Sequence, residues 1–271
     1  GASENVHAFG GADGCGTTDA EANGALDVVD FSSRGPSADG RTKPDLMAPG
    51  THVSGGVAQA SGQQAEPPAT ATGQALACFD ATGVCAGPGG SDFWPLGQQW
   101  YTASSGTSHS TPAIAGGAAL LRQDFINRGL TPPSPAMTKA YLLNAARYMT
   151  GTGANDSLPS NNQGMGLMDL GVAFDGTPRL VEDQAPASLF TASGQSRVFT
   201  GPVADPGKPF RVTLAWTDAP GSTAGAAWKN DLDLTVTVGG NTYRGNVFSG
   251  ASPDFAVVAQ KSTAFTELGT T

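Results

Sequence analysis

The chain has 271 residues, of which 39% are hydrophobic and 14% charged, so it can bury a sizeable core and is too apolar for a charge-driven disordered tail. Its formal net charge at pH 7 is −9, and its 14 Lys and Arg residues are scattered, which excludes nucleic acid and anionic membranes as expected partners. No apolar run approaches the ~20 residues that a bilayer-crossing helix requires.

The first part of the chain is predicted to contain short strands separated by loops. Residues 1–26 begin with a strand end and continue as an aperiodic stretch rich in Gly, Asp and Ala, which is typical of a surface loop. His7 is expected to be a solvated side chain in that loop. Short strands are predicted over 26–31 and over 51–53, the second of them after an Ala-Pro-Gly turn at 48–50.

Residues 54–101 lack both helical and strand periodicity and are predicted to form one long irregular connection. Its aromatic side chains either pin the connection to the core, which we favour, or border a substrate groove: Phe93, Trp94, Trp100 and Tyr101. Cys78 and Cys85 enclose a short loop, so a disulfide between them is expected if the compartment is oxidising. Cys15 is left over and is either free or bonded outside this sequence.

The segment 105–116 carries the strongest chemical signal, because small residues lead into Ser108 and an apolar run rich in Ala and Gly follows. A helix is predicted from about Ser108 to Arg128. Pro112 falls in its first turn and Gly129 just beyond its end. Unpaired N–H groups and the positive end of the dipole favour negative charge at a helix N-terminus, so Ser108 is a candidate nucleophile. The alternative is an ordinary N-cap serine.

The rest of the chain is predicted to contain a second helix and then antiparallel strands. Ser134 and Pro135 are typical of a helix start, and apolar residues recur at helical spacing over 137–148. Apolar and polar residues alternate over 210–216 and again over 232–238. Together with the Gly-rich turns between them, these patterns predict an antiparallel β-sandwich.

Three acidic residues near these strands form a candidate metal site. Asp218, Asp231 and Asp233 offer the hard oxygen ligands that calcium prefers, so a structural calcium ion is one interpretation. The other is that they are ordinary solvated turn acids, because no EF-hand or Asp/Gly repeat spacing surrounds them. No cofactor is expected to be required for the chemistry.

Several segments resemble the subtilisin-like serine proteases, or subtilases. The Gly-Thr-Ser-x-x-x-Pro sequence at 106–112 resembles the family's serine motif, and 31–50 resembles the segment upstream of that serine. Residues 1–5 are similar to a strand end that follows the family's oxyanion asparagine, and 163–170 resembles the Gly-x-Gly turn that closes the catalytic domain. The later strands look like the sandwich appended to some larger secreted subtilases.

The resemblance implies an α/β fold in two domains. Residues 1–178 would be the C-terminal portion of a subtilase catalytic domain, a parallel sheet with helices on both faces. Residues 179–271 would be an antiparallel, jelly-roll-like β-sandwich, expected to be incomplete. Because the family's Asp, His and Asn motifs precede the point that residue 1 matches, a missing N-terminal half of the same protein is expected to be a partner of this chain.

The resemblance also implies an Asp/His/Ser triad in which Ser108 attacks the peptide carbonyl. Its backbone N–H would be one oxyanion donor, and the Thr107 hydroxyl would assist. His109 stands where the family usually has Met and is expected to make a buried hydrogen bond rather than to act as the base. The complete protein is therefore expected to be a secreted, extracellular serine endopeptidase acting on protein or peptide substrates, with these 271 residues inactive by themselves.

The alternative function is non-catalytic. In that case the chain would be an inactive fragment or a pseudoprotease whose β-sandwich binds protein or glycan. The two functions differ in the reactivity of Ser108 in the complete protein: a reactive hydroxyl favours the enzyme, and an unreactive one favours the binding protein.

Overall fold

The computed structural model describes residues 1–5, 22–56, 92–93, 101–154, 160–208, 210–222, 228–247 and 255–259. The chain divides into two compact units. The first contains Gly1–Ser33, Met47–Ala113 and Met149–Asn155, and the second contains Arg34–Leu46, Ile114–Tyr148 and Asp156–Thr271. The domain boundary near residue 178 stays a prediction.

Several predicted features lie outside the described residues, namely those at His7, Cys15, Cys78, Cys85, Trp94 and Trp100. The Cys78–Cys85 disulfide therefore stays a prediction. Tyr101, which begins the next described strand, does not pack against the core as predicted. Tyr101 is 54% exposed, so its ring does not pin the connection to the core.

Short strands build the first unit. β1 (Ala2–Ser3) pairs in parallel with β2 (Ala48–Pro49), as the α/β expectation requires. β5 (Tyr101–Ser104) lies between β3 (Val53–Gly56) and β4 (Asp92–Phe93) and is antiparallel to both. These two small sheets position the segment that precedes the candidate nucleophile.

Two strand predictions in this unit are wrong in extent. Residues 26–31 contribute only a single bridge, from Val28 to Ser3, because the chain turns on either side of it. The strand expected over 51–53 begins only after His52. The reason is local, since His52 has a φ of 47°, a left-handed conformation that a strand does not accommodate.

α1 (Thr107–Asn127) is the long helix that the sequence predicted, but it begins one residue earlier. Pro112 therefore lies in its second turn rather than its first, which corrects the prediction. Because proline has no N–H, it cannot donate to the carbonyl of Ser108, four residues before it. The far end is as predicted, since Gly129 has a φ of 69° and ends the helix in a Schellman motif.

The hydrophobic core of the second unit forms between α1 and α2 (Pro135–Asn144). Phe125 and Tyr141 pack edge to face there, with ring centroids 5.7 Å apart. The other buried residues of this core are Leu46, Leu121, Leu142, Leu143, Ala145, Ala146, Met165 and Ala173. The last of these belongs to the short α3 (Leu170–Ala173). None of the described helices is long and apolar enough to cross a membrane.

The beginning of α2 confirms the cap that the sequence predicted. The Ser134 hydroxyl accepts the N–H of Met137 at 3.1 Å, and Pro135 occupies the first helical position. The predicted end is wrong, because the helix stops at Asn144. Tyr148, which was placed on the apolar face of this helix, is buried but lies outside it.

Among the described residues, the last part of the chain contains two two-stranded sheets. β7 (Thr235–Val238) and β8 (Asn241–Arg244) form an antiparallel hairpin, and the two glycines between them have φ of 58° and 80°, as a tight hairpin turn requires. β6 (Phe210–Leu214) pairs in parallel with β9 (Phe255–Ala259), whereas antiparallel pairing was predicted. The sequence pattern did not identify β9, so the partner of β6 was missed. The β-sandwich over 179–271 stays a prediction.

Candidate active site

Ser108 is the second residue of α1, and its side chain is exposed. None of the described residues forms a hydrogen bond with its Oγ. Its backbone N–H belongs to the first helical turn, where no preceding helical carbonyl is in reach and the positive end of the dipole lies. An N-cap serine instead precedes its helix and accepts an N–H with its side chain, so the ordinary N-cap interpretation is wrong for Ser108.

The start of α1 is fastened to the end of β2. The N–H of Gly106 donates to the carbonyl of Gly50 at 2.7 Å. The hydroxyl of Ser110, which is buried, donates to the carbonyl of Pro49 at 3.2 Å. The Ala-Pro-Gly turn and the serine motif were found as separate segments of the sequence, and the structure brings them into direct contact.

Gly50 occupies a position where a side chain does not fit. A Cβ there would lie 2.5 Å from the Ser110 Oγ and 2.7 Å from the Ala2 Cβ, closer than such atoms approach without displacing one another. The N–H of Gly50 also donates to the carbonyl of Ser3 at 2.9 Å. This glycine therefore allows β1, the end of β2 and the start of α1 to come together.

His109 follows Ser108 and makes contact with the end of β5. Its Nε2 lies 2.8 Å from the Ser104 Oγ, and the tautomer of the imidazole decides which atom donates. The backbone N–H of His109 donates to the carbonyl of Gly106 at 3.0 Å. The predicted hydrogen bond is therefore confirmed, although His109 is half-buried rather than buried. The bond engages Nε2 with Ser104 and not with Ser108.

Two other residues of the site act through main-chain atoms. The N–H of His52 donates to the Ser105 Oγ at 3.0 Å, which ties the loop before α1 to the chain that follows β2. Thr107 is exposed at the first position of the helix, and its carbonyl accepts the Thr111 hydroxyl at 3.1 Å. An auxiliary role for the Thr107 hydroxyl stays a prediction.

Sequence reasoning missed three residues that hold this site: Gly50, Ser104 and Ser110. Gly50 had a usable signal, since it ends the Ala-Pro-Gly turn within the upstream segment that carried the family resemblance. Ser110 bonds a main-chain carbonyl, and Ser104 bonds a side chain five residues away across the turn. Neither contact leaves a periodic pattern in the sequence.

The acidic residues proposed as calcium ligands were Asp218, Asp231 and Asp233. In the part of the chain that the structure describes, no group of three or more His, Cys, Asp or Glu residues is placed to hold a metal ion, and calcium at these positions stays a prediction. The buried carboxylate of Asp218 instead accepts backbone N–H groups from Ala219, Lys229 and Asn230 at 2.7–2.9 Å. Burial raises the pKa of this carboxyl, but the N–H donors of Asn230, Lys229 and Ala219 outweigh burial and hold the pKa below its ordinary value.

Comparison with known proteins supports the chemistry suggested by the serine motif. Residues 3–166 match the family model described as the Subtilase family. A protein of Dictyostelium discoideum named "Serine protease/ABC transporter B family protein tagD" is 26% identical over 262 residues, which cover 78% of this chain and 13% of the relative. The similarly named tagB of the same organism is 28% identical over 145 residues, covering 48% of this chain and 6% of the relative. The chain thus spans a small part of the length of these curated relatives.

Proposed function

This chain belongs to the subtilase family, and on that premise we propose that it carries the nucleophile, Ser108, of a serine endopeptidase. The observation that carries the proposal is an exposed serine hydroxyl at the N-terminus of a long helix, held there by the Ala-Pro-Gly turn and without a hydrogen-bond partner among the described residues. The matched relatives are named serine protease, which supports the same class of reaction. A protease implies protein or peptide substrates.

In the proposed reaction, the Ser108 Oγ attacks the carbonyl carbon of a peptide bond while a histidine accepts its proton. The histidine then gives the proton to the departing amine, and water hydrolyses the acyl group left on Ser108. The backbone N–H of Ser108, in the first turn of α1, is proposed to stabilise the oxyanion, with help from the Thr107 hydroxyl.

We propose that the histidine, the aspartate and the oxyanion asparagine come from polypeptide outside these 271 residues. The imidazole of His109 is engaged with Ser104, and adjacent side chains on a helix point in different directions, which disfavours His109 as the base for Ser108. The chain covers only 13% of the first relative, so that relative contains ample further polypeptide. On this proposal the 271 residues are inactive by themselves.

The substitution Ser108→Ala in the complete protein tests the proposed role of this hydroxyl. It is expected to lower kcat for a quenched fluorescent peptide by about 10⁴-fold or more, because no acyl intermediate can form. Thr111→Ala is the matched control, since it removes another exposed hydroxyl from α1 whose bond is to the Thr107 carbonyl. Hydrolysis retained by Ser108→Ala would contradict the proposal, and a folded complete protein that hydrolyses no peptide would favour the non-catalytic alternative.

We further propose that the complete protein acts outside the cell and that residues 179–271 form a β-sandwich following a catalytic domain that ends near 178. The support is the resemblance to larger secreted subtilases together with the strands β6, β7 and β8. Limited proteolysis should cut first between residues 175 and 185 if this boundary is correct. Early cleavage confined to other sites would count against it.

A further inference from the structure

We propose that the hydrogen bond between Ser104 and His109 is a positioning device for the Ser108 hydroxyl. The inference rests on the proposed function, since it takes Ser108 as the nucleophile. It assigns His109 and Ser104 as positioning residues, which act on the reaction by holding the turn between β5 and α1 in one arrangement.

The bond joins the two ends of the turn that carries the nucleophile. Ser104 is the last residue of β5, and it is paired with Val53 in the antiparallel register of β3 and β5. His109 is part of the first turn of α1, and its own N–H is bonded to the Gly106 carbonyl. The 2.8 Å contact therefore connects a residue held by a sheet to a residue held by a helix.

Gly106 is the residue of this turn with the greatest intrinsic conformational freedom, and its bonds to the Gly50 carbonyl and the His109 N–H restrain it only through the main chain. Its φ is 156°, and glycine loses more conformational freedom on ordering than any other residue. A Cβ built on Gly106 would lie 3.8 Å from the Cδ2 of His109, so the imidazole borders the space beside this glycine. The ring and its bond to Ser104 thus restrict the backbone two residues before Ser108.

Ser108 has little else to fix its side chain. The hydroxyl is exposed and bonds to none of the described residues, so its orientation follows the backbone of the turn. Reaction rates depend steeply on such geometry, and a displacement of about 1 Å can cost about 10²-fold in rate. Loosening the turn is therefore expected to slow the attack by Ser108 without weakening substrate binding to the same degree.

The test uses paired substitutions in the complete protein. In His109→Gln the side-chain amide nitrogen can take the place of Nε2, whereas the shorter side chain in His109→Asn cannot reach Ser104. Ser104→Thr keeps a hydroxyl and Ser104→Ala removes it. The measured quantities are kinact and KI for a fluorophosphonate probe that modifies Ser108, with the melting temperature as a control for folding.

We expect His109→Asn and Ser104→Ala each to lower kinact about tenfold, with KI and the melting temperature little changed. His109→Gln and Ser104→Thr are expected to stay within about twofold of the parent. The double variant Ser104→Ala/His109→Asn is expected to lose no more than either single variant, because both remove the same bond. Equal kinact in the Gln and Asn variants, or a double-variant loss equal to the product of the single losses, would overturn the proposal.

Hydrogen exchange separates this inference from the proposed function. If the parent takes no probe at Ser108, the function fails, and amide exchange in the peptide covering 104–110 decides the positioning role. Faster exchange in Ser104→Ala and His109→Asn, but not in Ser104→Thr or His109→Gln, supports a restrained turn. Unchanged exchange in all four variants overturns it.

Discussion

At the scale of single residues, small side chains allow the helix start that carries Ser108 to pack closely against the ends of β1 and β2. Gly50 leaves room for the Ser110 hydroxyl, and Ser110 reaches the Pro49 carbonyl beneath the start of α1. Gly106 completes the contact with its N–H to the carbonyl of Gly50. The serine motif thus depends on a glycine far from it in sequence.

Gly50→Ala is expected to destabilise the complete protein by about 1–3 kcal/mol, because the new methyl group would overlap both the Ser110 Oγ and the Ala2 Cβ. Calorimetry measures the change in melting temperature. Gly116→Ala is the matched control, since a Cβ at this exposed helical position meets nothing within 4 Å. Alanine is expected to stabilise α1 there by up to about 1 kcal/mol. A melting temperature unchanged by Gly50→Ala would contradict the close packing described here.

The residue scale also shows how far sequence reasoning reaches into the site. The position of Ser108 at a helix start could be predicted, because the motif lies within one continuous stretch. The bond from His109 was expected but its partner was not, since Ser104 is brought close by the path of the turn. The contact of Ser110 with Pro49 depends on two segments that meet only in the folded chain.

At the scale of elements, a buried carboxylate ties together the loop between β6 and β7. Asp218 accepts the backbone N–H groups of Ala219, Lys229 and Asn230, and the side-chain amide of Asn230 at 2.7 Å. An uncharged substitute cannot accept all of these bonds, because an amide offers one oxygen and one donating nitrogen. The carboxylate therefore holds the two described ends of this loop together.

Asp218→Asn is expected to destabilise the protein by about 1–3 kcal/mol at pH 7, because buried N–H donors would lose their acceptor. The pKa of Asp218 is held below its ordinary value of about 3.9, so its stabilisation is fully present above that pH and is lost as pH falls through the folded-state pKa. The difference in melting temperature between parent and variant should thus be constant from about pH 5 to 8 and shrink below about pH 4. Asp233→Asn, at an exposed position, is the control. An equal loss of stability from both substitutions would contradict a stabilising role for Asp218.

Helix ends could be predicted better than strand pairs, and the reason is physical. Ser134 and Gly129 act on neighbouring backbone groups, so the cap of α2 and the end of α1 are visible in the local sequence. A strand needs a partner from elsewhere in the chain, and the pairing of β6 with β9 joins residues more than 40 positions apart. His52 has a φ of 47°, and because a positive φ is uncommon for any residue other than glycine, the local sequence pattern did not predict that the strand begins only after it.

At the scale of the whole molecule, we propose that the activity belongs to a protein larger than this chain. The family model matches residues 3–166, and the first relative aligns with this chain over only 13% of its own length. The described residues include the proposed nucleophile, one proposed oxyanion donor and the groups that hold them. A peptidase of this type also requires a base and an aspartate that orients it.

The isolated 271 residues are accordingly expected to hydrolyse no peptide at a rate comparable to that of the complete protein. Without the base and half of the oxyanion hole, the rate should fall by about 10⁴-fold or more, because proton removal from Ser108 is no longer assisted. Parallel assays of both proteins with the same quenched peptide make the comparison. Equal rates would show that the catalytic residues are complete within this chain and would contradict the proposal that the histidine, aspartate and asparagine lie outside it.

The most direct test of the central claim is to map where a fluorophosphonate attaches in the complete protein. After labelling at neutral pH and digestion, mass spectrometry should find the adduct on the peptide containing Ser108, and heat-denatured protein should carry none. An adduct on another serine, or no adduct in a folded and complete protein, would contradict the assignment of Ser108 as the nucleophile.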